Sequence, residues 1–221
     1  MKVKDRMSTD VKTATMETSL LEALHMMEEH GIRRIPIMDK NKLVGIVTLS
    51  DLNRAAPSPV TALSIHEINY LLGKTKLRDI VPKKQKVITI GSENYIETAA
   101  KVMRAHNISG LPVVDDGRLV GIVTETNIFD ALIDILGVHQ AHSRLDLYVP
   151  DGQGRLAEIT GIIARMGINI LNAVAYYDEK KGLYKVIIRV ETLETADLLE
   201  ELKSHGYEID SVLVVEDSEK S

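Results

Sequence analysis

The chain has 221 residues, 44% of them hydrophobic, a formal net charge of −5 and no cysteine. That length suits one large domain or two or three small ones with ample apolar core material, and the missing cysteine excludes disulfides, thiolate metal sites and a cysteine nucleophile. Interspersed charges of net negative sign argue against a general nucleic-acid binder, and with one phenylalanine and no tryptophan the Phe or Trp stacking platforms of such a protein are almost missing.

No apolar run approaches the roughly 20 residues of a membrane span, and no apolar segment follows Met1-Lys2-Val3-Lys4-Asp5 as in a signal peptide. The expectation is a cytoplasmic protein whose partners are small molecules or other proteins, with neither nucleic acid nor membrane among them.

In chain order, residues 11–15 alternate like a short strand. Ser19-Leu20-Leu21-Glu22 fits a reciprocal capping box, so a helix begins there, with Leu20, Leu21, Leu24 and Met27 at helical spacing on one face. Gly31 ends it by offering a left-handed position. Residues 32–38 form a strand whose Pro36 removes one ladder donor and suggests an edge. A turn at 39–42 leads into Leu-Val-Gly-Ile-Val-Thr-Leu-Ser-Asp, residues 43–51, an apolar β-branched run that feeds a helix start.

That stretch returns as Leu-Val-Gly-Ile-Val-Thr-Glu-Thr-Asn, residues 119–127. Gly45 and Gly121 are 76 positions apart, and the same offset holds without a gap through Pro36/Pro112, Ile32/Ile108 and His30/His106 back to Thr13/Thr89. This is an internal repeat. Asn107 stands where Gly31 stands, after a helix carrying Ile96, Ala99, Ala100 and Met103, and Asp115-Asp116-Gly117 is a hairpin turn. Each repeat reads as strand, helix, hairpin, helix. Between them Pro57-Ser58-Pro59 breaks the chain, residues 62–72 read as an added helix, and residues 77–81 lead into the second copy.

A different pattern starts after residue 138. Leu145, Leu147 and Val149 alternate as a strand. Residues 150–154 turn, and Leu156, Ile159, Ile162, Ile163 and Met166 form a helical stripe stopped by Gly167. Residues 168–177 and 183–190 are β-rich runs joined by a hairpin. A helix with Leu198, Leu199 and Leu202 follows, then Gly206 and a last strand at 207–215. The order βαββαβ is the ferredoxin-like arrangement. The fold class is therefore α/β with an α+β C-terminal unit, divided at 1–72, 73–138 and 139–217, with a polar tail at 218–221.

The doubled unit, with His-x-Ile-x-x-h-Pro-h-h-Asp and Gly-h-h-Thr-x-x-Asp/Asn in register (h apolar), resembles a tandem pair of CBS domains, the Bateman module. The C-terminal Asp-Gly-Gln-Gly-Arg-Leu-Ala-Glu-Ile and Met-Gly-Ile-Asn-Ile segments resemble an ACT domain, with Gln153 where that family usually has proline. A CBS pair followed by one ACT domain is similar to regulators of the acetoin-utilisation family. The resemblance implies a regulatory protein without a cofactor of its own. It would bind an adenine nucleotide or S-adenosylmethionine in the CBS pair and an amino acid at the ACT domain. It would also form a homodimer and act on another protein that the sequence does not identify.

The candidate site residues have two readings each. Thr48-x-x-Asp51 is a helix-capping signature, and the same turn recurs as Thr124-x-x-Asn127. A carboxylate beside a helix N-terminus can also accept both hydroxyls of a ribose while the threonine bonds sugar or phosphate, and CBS nucleotide sites use these two positions. We favour binding.

Arg33 and Arg34 either guard an edge strand or meet phosphate with their planar forks. The second repeat has Ser109 and Gly110 there, so two unequal clefts are expected. Ile35 and Leu111 flank an adenine or pack in the core. Thr13 and Thr89 complete the nucleotide set.

In the ACT-like unit, Asp151 and Asn169 are candidate amino-acid contacts, and Gly154 would let a ligand approach the backbone. Gly152-x-Gly154-x-x-Ala157 matches a dinucleotide fingerprint, but the following hairpin and the short remaining chain exclude a Rossmann unit. His139 and His142 lack a third ligand nearby and read as surface residues. No convergent acid, base or metal set points to catalysis. An enzyme of acetoin or nucleotide metabolism, or a purely structural dimerisation module, is the rival reading.

Overall fold

The structure is a computed structural model that describes residues 1–57, 64–82, 85–137 and 141–216. Contacts divide the chain into two compact units, Met1–Phe129 and Asp130–Ser221. Among the described residues no helix is long and apolar enough to cross a membrane.

In the first unit, α1 (Leu20–Glu29) starts at Ser19, whose hydroxyl accepts from the Glu22 N–H while the Glu22 carboxylate accepts from the Ser19 N–H at 2.6 Å. Gly31 follows with φ +61°, the left-handed stop the sequence requires. Then come β1 (Arg34–Asp39), β2 (Lys42–Thr48), α2 (Leu49–Ala55), α3 (Ile65–Lys74) and the short α4 (Leu77–Ile80). The second repeat gives α5 (Ile96–His106), β3 (Gly110–Asp115), β4 (Arg118–Thr124) and α6 (Glu125–Leu136).

Asn107 takes φ +52°, and Asp116 and Gly117 both take positive φ in the hairpin turn. The two hairpins share a register down to a bulge at the same place, between Ile37 and Met38 and between Val113 and Val114. Residue 62, where the sequence starts its added helix, lies outside the described residues; α3 itself begins at Ile65.

One expected element is reduced. Residues 11–15 and their counterparts form no strand, and only Ala14 and Ile90 bridge to Ile37 and Val113. The Ala14 N–H donates to the Pro36 carbonyl and the Met38 N–H to the Ala14 carbonyl. Pro36 therefore points its missing N–H at this sparsely bonded edge, away from β2, where no ladder bond is lost.

The stretch before each repeat packs on the other repeat. Lys2 bridges Tyr95, and the Val3 and Lys4 N–H groups donate to the Asn94 and Ser92 carbonyls at 2.8 and 3.0 Å. Ser8 and Ile122 exchange two bonds of 2.9 Å. Reciprocally, Lys76 bridges Ser19, the Leu77 N–H donates to the Thr18 carbonyl, and Gln85 Oε1 accepts from the Ile46 N–H at 2.7 Å.

Val3 and Leu77 are both fully buried by this exchange. Ser19 and Tyr95 are 76 positions apart but Lys2 and Lys76 only 74. The equivalence is thus broken by a two-residue gap. A cut at residue 72 does not separate two independently packed bodies.

The second unit contains β5 (His142–Val149), α7 (Arg155–Arg165), β6 (Ile170–Asp178), β7 (Leu183–Val190), α8 (Ala196–Ser204) and β8 (Glu208–Val215). The sheet order is β6-β7-β5-β8 with every neighbouring pair antiparallel, the ferredoxin-like arrangement. Alternation places Leu145, Leu147 and Val149 with Val186, Ile188 and Val190 on one face, against Ile159, Ile162 and Ile163 of α7 and Leu198 and Leu202 of α8. Leu156, expected in that stripe, sits in the first turn of α7 and is 43% exposed. Gly154, Gly167 and Gly206 all take positive φ at the helix ends. The 218–221 tail lies outside the described residues.

Candidate functional site

Both strand-to-helix turns close a complete reciprocal cap. Thr48 is extended at φ −110° and caps α2. Its hydroxyl accepts from the Asp51 N–H at 3.3 Å, while Asp51 Oδ2 accepts from the Thr48 N–H at 2.9 Å and from the Thr48 hydroxyl at 2.6 Å. Asn127 Oδ1 accepts the matching bonds from Thr124 at 2.8 and 2.9 Å. An amide oxygen can replace a carboxylate here because the cap needs only an acceptor. Capping is thus a role these residues have in the fold, and ligand binding would come in addition to it.

Where the hairpins meet, a cleft of about 1090 Å³ opens. Arg33, Arg34 and Thr48 of the first repeat and Ser109, Thr124 and Asn127 of the second all line it. This one space draws on both repeats, to which the sequence assigns two unequal clefts. The reason is that Arg34 crosses the boundary: its Nη2 donates to Ser109 Oγ at 2.6 Å, and its guanidinium lies against Gly110, where a Cβ would collide with it. Burial pushes the Arg34 pKa down, and the carboxylate of Glu125 pushes it back up.

Other members of the expected set are placed differently. Ile35 and Leu111 are 0% exposed; Ile35 belongs to the core of the first repeat, and neither lines the cleft. Strand alternation explains this, because Ile35 and Ile37 face the helices and Pro36 between them faces the cleft. The period-two alternation of the strand is the sequence signal that puts Pro36 on the cleft face. Gly110 serves by its smallness, beneath Arg34. Thr13 and Thr89 are exposed and, like Asp51, are not among the cleft-lining residues.

Ser8, Asp10, Lys12 and Glu125 also line the cleft, outside the set that the sequence motifs pick out. Ser8 reaches it through the exchanged N-terminal segment, which no gapless repeat reveals. A smaller groove of about 660 Å³ lies between α5 and α6, lined by Met103, Asn107, Ile108 and Phe129 among others.

In the second unit, Asp151 and Gly154 lie in the loop after β5, with Gly154 at φ +82° before α7. Asn169 precedes β6, where its Nδ2 donates to the Glu191 carboxylate at 2.7 Å. The register places these at opposite ends of the sheet. Ile170 and Ser143 both pair with Val190, whereas Val149 pairs with Tyr184, and that length of strand spans about 20 Å. Helix α7 returns the chain to the end where β5 began. Within one chain the three residues therefore do not form one pocket.

The fingerprint glycines lead into a sheet whose neighbouring strands are all antiparallel, so they serve no Rossmann unit. His139 lies outside the described residues, and His142, expected at the surface, is buried in β5. Among the described residues no group of three His, Asp or Glu could hold a metal.

A composite cleft lined by two hairpin repeats, followed by a ferredoxin-like unit, defines a tandem-repeat protein with a separate βαββαβ domain. The CBS-domain model matches residues 3–58 and 77–134, and the ACT-domain model matches residues 143–207. The chain belongs to the CBS-domain family and carries a C-terminal ACT domain. It is similar to a CBS domain-containing protein of Dictyostelium discoideum, 37% identical over 136 residues that make up 61% of this chain and 92% of that one. An inosine-5′-monophosphate dehydrogenase of Korarchaeum cryptofilum is 36% identical over 121 residues, 54% of this chain and 22% of the enzyme. Among solved structures, a proposed acetoin utilization protein (AcuB) from Vibrio cholerae matches with a TM-score of 0.50 and 32% identity, over 61% of this chain and 91% of that one.

Proposed function

We propose that this chain is a non-catalytic cytoplasmic regulator that senses an adenine nucleotide in the composite cleft of its CBS pair. The observation that carries the reading is the convergence of Arg33, Arg34, Thr48, Ser109, Thr124 and Asn127 on one cleft. Guanidinium forks suit phosphate oxygens, and the hydroxyl and amide groups suit a ribose. The adenine part of the reading comes from the resemblance of the doubled motif to CBS pairs. Asp51 would add a ribose contact only by turning from its cap, and Thr13 and Thr89 would contribute from the cleft's margin.

The pathway we assign is acetoin utilisation, on the strength of the domain order and the likeness to the Vibrio cholerae protein. We assign an amino acid to the ACT domain. Because Asp151 and Gly154 stand at the other end of the sheet from Asn169, one ligand can touch all three only between two copies, which favours a homodimer. Val212, Leu213 and Val214 exposed on the edge strand β8 support the same reading, since an open edge invites a partner.

The deciding experiment is a thermal-shift series with AMP, ADP, ATP and S-adenosylmethionine. A ligand selective for the folded state at about 100 times its dissociation constant adds about 2.7 kcal/mol. A flat melting temperature across all four rejects nucleotide sensing and leaves the structural-module reading, and turnover of any of them rejects the non-catalytic one.

A further inference from the structure

The two repeats differ in charge at equivalent positions. Arg33 and Arg34 stand where Ser109 and Gly110 stand, and Leu49 stands where Glu125 stands. The backbone is the same in both: the Leu49 N–H donates to the Arg33 carbonyl at 2.9 Å and the Glu125 N–H to the Ser109 carbonyl at 3.2 Å. Equivalent positions on the same backbone therefore carry different charges, and Arg33, Arg34, Ser109 and Glu125 all line the one cleft.

Arg34, held by Ser109 at 2.6 Å, shares the cleft lining with the opposite charge of Glu125. Lys12 and Asp10, also in the lining, pair with each other at 2.9 Å. Three cations (Lys12, Arg33, Arg34) and two anions (Asp10, Glu125) leave the cleft one net positive charge.

We propose that Glu125 is a specificity-determining residue that limits the phosphate charge this cleft accepts, so that a nucleoside monophosphate is preferred to a di- or triphosphate. The inference rests on the nucleotide reading above. A phosphate drawn toward Arg34 also approaches the Glu125 carboxylate. Each further phosphate group adds about one negative charge to a lining whose net charge is fixed. Glu125 is exposed, so water and salt screen the repulsion and the effect is a graded preference. The plainer role for an acid in the first turn of α6 is to complement the helix dipole, which would touch stability and leave ligand charge unselected.

The test is calorimetry of AMP, ADP and ATP binding to the full chain and to Glu125→Gln, Glu125→Leu and Glu125→Asp. The wild-type protein should bind AMP roughly tenfold more tightly than ATP at low salt. Glu125→Gln and Glu125→Leu should bring that ratio near one, chiefly by tightening ATP, and Glu125→Asp should keep the wild-type order. The difference should shrink between about 0.05 M and about 0.5 M salt, as screening requires. An unchanged AMP-to-ATP ratio in Glu125→Gln with a lowered melting temperature overturns the proposal in favour of the dipole role, and a wild-type preference for ATP overturns it directly. If the wild-type protein binds none of the three, the nucleotide reading itself falls; if it binds all three without regard to charge, only the role of Glu125 falls.

Discussion

The guanidinium of Arg34, on the first hairpin, occupies the space above Gly110 on the second that any Cβ at residue 110 would fill. This contact makes the cleft a shared property of two repeats, and it can be broken without touching a charged group. The colliding atoms belong to the far end of a flexible side chain. Gly110→Ala should therefore leave stability unchanged or raise it by about 0.5–1 kcal/mol, since alanine loses less backbone freedom in a strand. Arg34 would be displaced from Ser109, and AMP affinity should fall several-fold. Thermal melts and calorimetry on the one variant separate the two effects, and wild-type affinity would mean that the path of Arg34 does not matter for binding.

Asp51 can be tested with its own repeat as the control, because Asn127 makes the same cap with an amide oxygen. Asp51→Asn should preserve the melting temperature, whereas Thr48→Ala, which removes the N-cap hydroxyl, should cost about 1 kcal/mol. If the carboxylate holds a ribose, nucleotide binding to Asp51→Asn should weaken by about 1–2 kcal/mol, since charge-assisted bonds exceed neutral ones. Unchanged binding would reduce Asp51 to a capping residue.

The exchanged segments predict unequal costs at two equivalent glycines. A Cβ on Gly121 would meet Met7 Sδ at 2.5 Å and the Ser8 carbonyl at 3.1 Å, whereas on Gly45 its nearest neighbours are Gln85 Oε1 at 3.2 Å and Val81 Cγ1 at 3.4 Å. Gly121→Ala should destabilise by about 1–3 kcal/mol through overpacking against the N-terminal segment. Gly45→Ala should cost less. Denaturant titration of both variants checks the order, and equal losses would mean that the segment yields freely.

Acid should loosen the same N-terminal segment. Glu93 is held by Lys2 and Lys4, each at 2.6 Å. Hydrogen bonds from the two ammonium groups lower its pKa from 4.5 to about 2. A carboxylate whose folded pKa is depressed stabilises fully above its unfolded value and loses that contribution as the pH falls toward the folded one. Melting temperatures of the wild type and Glu93→Gln should therefore differ at about pH 6 and converge by about pH 2. A constant gap across that range would show that these exposed pairs contribute nothing.

Much of the architecture was legible in the residues themselves because it is set by local chemistry. Ser19-x-x-Glu22, Gly31, Asn107 and Asp116-Gly117 are local signals whose capping and left-handed conformations hold wherever the chain goes. The 76-residue offset of Gly45 and Gly121 announced two copies of one fold, and alternation in Leu145, Leu147 and Val149 set the core face of the second unit. What the sequence alone could not settle was the set of contacts between residues far apart in it. The crossing of Arg34 to Ser109, the burial of Ile35 and Leu111, the exchange that carries Ser8 to Ile122, and the separation of Gly154 from Asn169 all depend on which surfaces meet after folding. A repeat pattern describes each copy against itself, and only the tertiary structure decides what one copy gives to the other.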